Sequence, residues 1–179
     1  MRRSPVSPTA DSLGVMLTIR RLTAADAAAF HAIRLEGLTL HPSQFRSAPE
    51  DWAGRRLADV ADRLTHDVVI GGFAGDTLVG VGGLGLETRP RLRHKAFIWG
   101  MYVRQLARGT GLSDAIVERL LDHARADGVE RVLLTVSADN WPARRLYERC
   151  GFEVYGLEAR AIKLGDQYVD EALMARPLP

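Results

Sequence analysis

From Ala96 to Ser113 the chain reads AFIWGMYVRQLARGTGLS: an apolar strand, a basic turn holding two glycines, and the start of a helix. No other stretch constrains the fold as strongly. The helix carries Leu112, Ala115, Ile116, Leu120 and Ala124 along one side, and Gly128 marks its end. The next run, Arg131 to Val136 (RVLLTV), has the continuous apolar character of a strand covered on both faces. A strand end and a helix N-terminus aimed at one point, with glycine admitting the backbone, form a site for an anion.

The remaining elements read off in order. Leu17 to Leu22 alternates as a strand. Thr23 caps a helix with Asp26 in its first turn, and Ala27, Phe30, Ile33, Arg34 and Leu38 recur at helical spacing until His41-Pro42. A second helix starts near Pro49 and turns Trp52, Leu57, Val60 and Leu64 inward. Asp67 to Ala74 and Thr77 to Glu87 flank a Gly75-Asp76 hairpin turn; their internal glycines predict bulges or close backbone approach. The strand Ala96 to Val103 is expected to place Phe97, Trp99, Met101 and Val103 on one face. Asp139 or Asn140 caps a helix bearing Ala143, Leu146, Tyr147 and Cys150, which Gly151 stops. Strands Phe152 to Leu164 and Tyr168 to Arg176 close the chain. The order βααβββαβαββ predicts a mixed α/β fold in one domain, residues 16–179. Residues 1–15, rich in Pro, Ser and Thr, are expected to form a disordered leader, and Met16 is an alternative start.

Bulk composition mainly excludes. A net charge of +2 calls for no nucleic-acid partner, and no segment is apolar and long enough to cross a membrane as a helix. The single cysteine forms no internal disulfide, and five scattered histidines show no ligand spacing, so no metal is expected. A cytoplasmic compartment is the default for such a chain.

The turn Arg108-Gly109-Thr110-Gly111-Leu112-Ser113 admits several readings. A Walker-type loop needs Lys followed by Ser or Thr after its last glycine, and a dinucleotide fingerprint needs a third glycine where Asp114 stands. A plain strand-to-helix connection is the remaining alternative. The later segment Asn140 to Phe152, NWPARRLYERCGF, narrows the choice. Together with VRQLARGTGLS it resembles the GCN5-related N-acetyltransferase (GNAT) family. That family's coenzyme motif maps onto Arg108, Gly111 and Ser113, with Ser in place of the usual Gly or Ala. Its later motif maps onto Asn140, Ala143, Leu146, Tyr147, Gly151 and Phe152.

The resemblance implies a central sheet splayed between the strand ending at Val103 and the strand Arg131 to Val136, with acetyl-CoA as co-substrate in the gap. Backbone at Met101, Tyr102 and Val103 would pair with the pantetheine amides. The amides of Arg108, Gly109, Thr110, Gly111, Leu112 and Ser113 would hold the pyrophosphate. Asn140 would contact the pantetheine arm, and Tyr147, facing the thioester sulfur, would act as general acid. The family also implies direct transfer through a ternary complex to a primary amine on a small molecule, a peptide N-terminus or a lysine, and a homodimer. A non-catalytic acyl-CoA-binding or sensing module is the alternative.

Direct transfer needs a neutral amine, and deprotonating an alkylammonium at pH 7 costs roughly 4–5 kcal/mol. Many relatives carry a Glu on the strand here spelled AFIWGMYV, which has no carboxylate. Glu87 and His94, just before it, are the nearest base candidates; Glu36 is a weaker one, and a water relay would also suffice. Cys150 lacks an activating partner and reads as an inert buried thiol. The acceptor is expected over the first helices and the last hairpin, near His41, Gln44, Phe45 and the loop Leu164 to Tyr168. The basic run TRPRLRHK would favour an acidic partner face, and Trp52 and Trp141 read as packing residues.

Overall fold

The structure, a computed structural model, describes residues 16–179; the expected leader over residues 1–15 lies outside the described residues. Among the described residues the strands are β1 (Leu17–Arg21), β2 (Val68–Ala74), β3 (Thr77–Leu86), β4 (Lys95–Val103), β5 (Arg131–Ser137), β6 (Glu153–Leu164) and β7 (Gln167–Pro177). The helices are α1 (Ala27–Leu40), α2 (Glu50–Ala53), α3 (Leu57–His66), α4 (Leu112–Ala126) and α5 (Trp141–Arg149). One mixed sheet runs in the order β1-β2-β3-β4-β5-β7-β6, antiparallel throughout except for the β4–β5 pair.

The second expected helix is two helices. Gly54 ends α2, and Arg56 re-enters in an extended conformation (φ −72°, ψ 141°) as the N-cap residue of α3. The break reconciles two demands on one segment: Trp52 is buried at 3% exposure, and Val60 and Leu64 are buried from a differently directed helix. Apolar side chains fill both faces of the sheet. Ile116, Leu120 and Leu121 of α4 pack with Val79, Leu84, Ile98 and Val132 on one side. Phe30, Ile33 and Leu38 of α1 pack with Val60 and Leu64 of α3 on the other. Each such side chain contributes roughly 1.5–3 kcal/mol on burial. The strand glycines give α4 its close seat: a Cβ on Gly82 would lie 2.3 Å from Met101 Sδ and 3.0 Å from Ile116.

Strand β4 departs from simple alternation at Gly100. Tyr102 lies opposite Val81 and Trp99 opposite Gly83, so Gly82 alone faces both Gly100 and Met101. This is a β-bulge with glycine in the left-handed region, φ +67°. The bulge splits the row expected on one face. Ala96 and Ile98 before it, and Met101 and Val103 after it, lie on the α4 side, whereas Trp99 and Tyr102 join the α1 side. The bulge lies just beyond a parting of the sheet. Pairing of β4 with β5 runs only over Lys95–Arg131, Ala96–Val132 and Phe97–Leu133, and then stops.

Candidate active site

Where β4 and β5 part, a cavity of about 490 Å³ opens between Ile98–Met101 and Leu133–Val136. A second hollow of about 460 Å³ continues to the glycine turn, bordered by Val103, Arg108, Gly109, Gly111 and Ser113. Gln44, Met101, Asn140, Ala143 and Tyr147 line both, so the two are chambers of one cleft.

The turn has the geometry the sequence suggested. Gly109 (φ +76°) and Gly111 (φ +83°) both take the left-handed region, where a side chain costs strain, and Gly111 is the N-cap residue of α4. No atom crowds a Cβ at either glycine, so the turn is open to a ligand. Arg108 braces it by donating Nε–H to the Val103 carbonyl at 3.0 Å, and Thr110 Oγ1 donates to Ala107 O at 2.7 Å. Met101, Tyr102, Val103, Arg108, Gly109, Gly111, Ser113, Asn140 and Tyr147 all border this chamber. Thr110 and Leu112 do not: Thr110 is exposed beside it, and the Leu112 side chain is buried in the core.

Helix α5 presents the other wall. Asn140 caps it, its side chain accepting the Ala143 N–H at 3.3 Å. One turn later Tyr147 lies at 6% exposure, edge-on to Phe152 at 5.9 Å. Burial drives the Tyr147 phenol far above its ordinary pKa, with the neighbouring Cys150 adding to the shift. It is therefore a neutral O–H at any physiological pH. Burial likewise pushes the Cys150 thiol up to about 11, assisted by Asp114 and Glu118, so no thiolate forms near neutrality.

The candidate bases fall elsewhere. Glu87 follows β3 and is bound by Arg89 at 3.0 Å; His94 precedes β4; neither lines the cleft, nor does the basic run between them. Glu36 accepts from Tyr102 (2.9 Å) and Arg104 (2.7 Å), and Arg104 holds its carboxyl below the ordinary range. Two carboxylates line the cleft: Asp114, paired with Arg149 at 3.1 Å beside the glycine turn, and Glu171 on β7, at 2% exposure, which accepts from Arg46 Nε at 2.7 Å. Arg46 also donates to Glu158 at 2.6 Å.

Of the residues expected near an acceptor, His41, Gln44 and Phe45 line the cleft, whereas the hairpin loop Leu164 to Tyr168 does not. Sequence reasoning missed Glu171, Arg46 and Arg34, all of which line the wide chamber, the one between the parted strands. The available signal was a charge standing where the pattern asks for an apolar residue: Arg34 belongs to the buried side of α1. Trp52 packs as expected, edge-on to Phe30. Trp141 does not: it is 55% exposed, with the Arg144 guanidinium 4.4 Å from its ring centre.

The profile of the Acetyltransferase (GNAT) family matches residues 32–152. A mycothiol acetyltransferase of Corynebacterium glutamicum is 34% identical over 66% of this chain, and the matched part spans only 38% of that protein's length. The L-amino acid N-acetyltransferase AaaT of Escherichia coli is 31% identical over 65% of this chain and 72% of its own. Among solved structures, yncA of Salmonella typhimurium, determined with its cofactor acetyl-CoA, superposes with a TM-score of 0.77. It covers 92% of this chain and 95% of its own, at 23% identity.

Proposed function

The chain belongs to the GNAT acetyltransferase family, and from that premise we propose that it transfers an acetyl group from acetyl-CoA directly to a primary amine in a ternary complex. The observation that carries this reading is the early end of β4–β5 pairing, which opens one cleft from the glycine turn to Gly100. The acetyl-CoA bound to yncA and the amine chemistry named for AaaT support it.

In this reading the diphosphate rests on the amides at Gly109, Gly111 and the start of α4, where the helix dipole favours negative charge. The pantetheine arm lies between the parted strands and hydrogen-bonds to backbone at Met101 and Val103. The thioester carbonyl then meets an N–H beside the bulge, the donor to the oxyanion that forms as the amine attacks. Collapse of the tetrahedral intermediate breaks the C–S bond. Tyr147, kept neutral by burial, donates its proton to the departing sulfur. The same dry surroundings raise the thiolate's affinity for that proton. The amine's proton leaves through water in the wide chamber, and Glu87 and His94 take no part. The reading extends to a reducing compartment such as the cytoplasm, consistent with the lone buried thiol Cys150. It also extends to a homodimer, for which the exposed Val154, Tyr155 and Leu157 of edge strand β6 offer a surface; light scattering tests the latter.

The experiment is coenzyme A release from acetyl-CoA over a panel of primary amines, with Tyr147→Phe beside the native protein. Turnover is expected, with kcat reduced roughly 100-fold in Tyr147→Phe. Acetyl-CoA binding without turnover of any amine, and no effect of the substitution, would establish a non-catalytic acyl-CoA-binding module instead.

A further inference from the structure

Arg34 is the most heavily buried cation in the cleft, at 4% exposure. Its Nε–H has no hydrogen-bond partner, and its Nη1 reaches only the Gly100 carbonyl, at 3.5 Å. Among the described residues no carboxylate pairs with it. Its surroundings are the rings of Phe45 and Trp52, each 5.3 Å from the guanidinium carbon, and of Trp99 at 5.9 Å. The charge that acts on it is a second cation, Arg63, itself paired with Asp67 at 2.6 Å. Burial brings Arg34 down to about 10, a direction opposite to that of the paired arginines Arg46 and Arg104.

Such an arrangement is costly in the free protein. Aromatic faces attract a guanidinium but leave its in-plane donors unanswered. A buried charge is normally paired, and the fork of Arg matches a carboxylate in two parallel hydrogen bonds. Arg34 lies against the bulge, where the acetyl carbon must sit: a Cβ on Gly100 would be 3.1 Å from its Nη1. The other cation of the chamber, Arg46, is already taken by Glu171 and Glu158.

We propose that Arg34 is the anchor for an anionic group on the acceptor, so that the amine acetylated here belongs to a molecule bearing a carboxylate close to it, as in a free amino acid. The proposal rests on the acetyltransfer reading and narrows its acceptor. The carboxylate supplies Arg34 with its missing counter-ion and holds the neighbouring nitrogen at the mouth of the bulge. Uncharged amines, including peptide carboxamides, leave the guanidinium unpaired and bind poorly.

The test compares free amino acids with their own carboxamides and decarboxylated amines, measured as kcat/KM for coenzyme A release. The native protein is expected to favour the acid by on the order of 10- to 100-fold, the range for a charged hydrogen-bonded pair. Arg34→Met collapses that ratio towards one, and Arg34→Lys keeps part of it, since charge remains while the fork is lost. If Arg34→Met does not fold, the native ratio and the lysine variant still decide. A second readout is thermal stabilisation of the coenzyme A-loaded protein by the same acids and amides. Turnover of acids and uncharged amines alike would overturn the anchor while leaving acetyltransfer standing. Arg34-dependent stabilisation by acids without turnover would do the reverse.

Discussion

Replacing Gly100 by alanine places a methyl group on the one β4 residue that cannot carry it without strain. Two terms follow from the structure. Alanine at φ +67° costs about 1–2 kcal/mol, of which ~0.4–1 kcal/mol is returned because the unfolded chain is also restricted. The methyl would lie 3.1 Å from Arg34 Nη1 and 3.3 Å from its Cζ. Shifting a side chain packed among three rings adds about 1–3 kcal/mol. The sum, roughly 1–4.6 kcal/mol, lowers Tm by roughly 2–18 °C for a chain of this size. Gly128→Ala is the matched control: φ is +70° and nothing lies within 4 Å of the added carbon, so only the net strain remains and Tm falls by no more than about 6 °C. Calorimetry compares the pair, and coenzyme A release reads function. Because Gly100 sets both the bulge and the position of Arg34, kcat/KM should fall on the order of 100-fold in Gly100→Ala, the size expected for a misplacement near 1 Å. Equal Tm losses and equal activity in the two variants would refute both the crowding argument and the place given to the bulge.

Three further outcomes are expected. Gly111→Ala should weaken acetyl-CoA binding by calorimetric titration at least roughly 10-fold, because the left-handed N-cap residue of α4 shapes the anion-binding turn. Arg20 binds Asp26 at 2.7 Å and holds its carboxyl down at about 2. A depressed carboxylate stabilises the fold above its unfolded pKa of ~3.9, and that stability disappears as pH falls through the folded value. Asp26→Asn should therefore cost about 1 kcal/mol at pH 7, after allowance for screening, and nothing near pH 2; denaturant melts across that window check it. Cys150→Ala should retain turnover with a Tm loss of roughly 2–4 °C, and the native thiol should resist a disulfide reagent at pH 8 until unfolded, since its pKa lies near 11. Loss of turnover in a folded Cys150→Ala would contradict direct transfer.

The glycine turn, α4 and α5 were legible because each rests on local rules: left-handed glycines at a helix start, one apolar stripe, a capping Asn. The parting of β4 from β5 followed only from the family resemblance, since pairing that stops after Phe97–Leu133 leaves no local mark. The bulge was half-visible. Gly100 stands in an apolar strand, which hints at irregularity, but only the register against β3 reveals that one residue faces two and that the exposed and buried rows exchange beyond it. The acceptor wall was least legible. Arg34, Arg46 and Glu171 are far apart in sequence, and their convergence depends on the segment after α1, a 3-10 turn at Pro42–Gln44 followed by Phe45 and Arg46, lying against β5 and β7. Ser137 Oγ fastens that segment to Ser43 O at 2.6 Å, and Arg46 fastens it to Glu171. A search for a carboxylate within AFIWGMYV could not find one supplied from β7.

The unfinished pairing of β4 with β5 also places the protein's needs in opposition. Both strands are partnered on their outer sides, by β3 and β7, and lie side by side with their inner edges apart. Every residue added to the three existing pairs would add ladder hydrogen bonds and bring the sheet nearer to an ideal one. A search for thermostable variants should therefore recover substitutions that let the strands zip beyond Phe97 and Leu133, and those same variants should lose the cleft. The sheet is held below the stability its topology permits at one place, and that place is where the ligand lies. A recessed edge of this kind also escapes the usual hazard of unpaired strands: it is too narrow to admit another folded copy of the chain, yet wide enough for something as slender as a single strand.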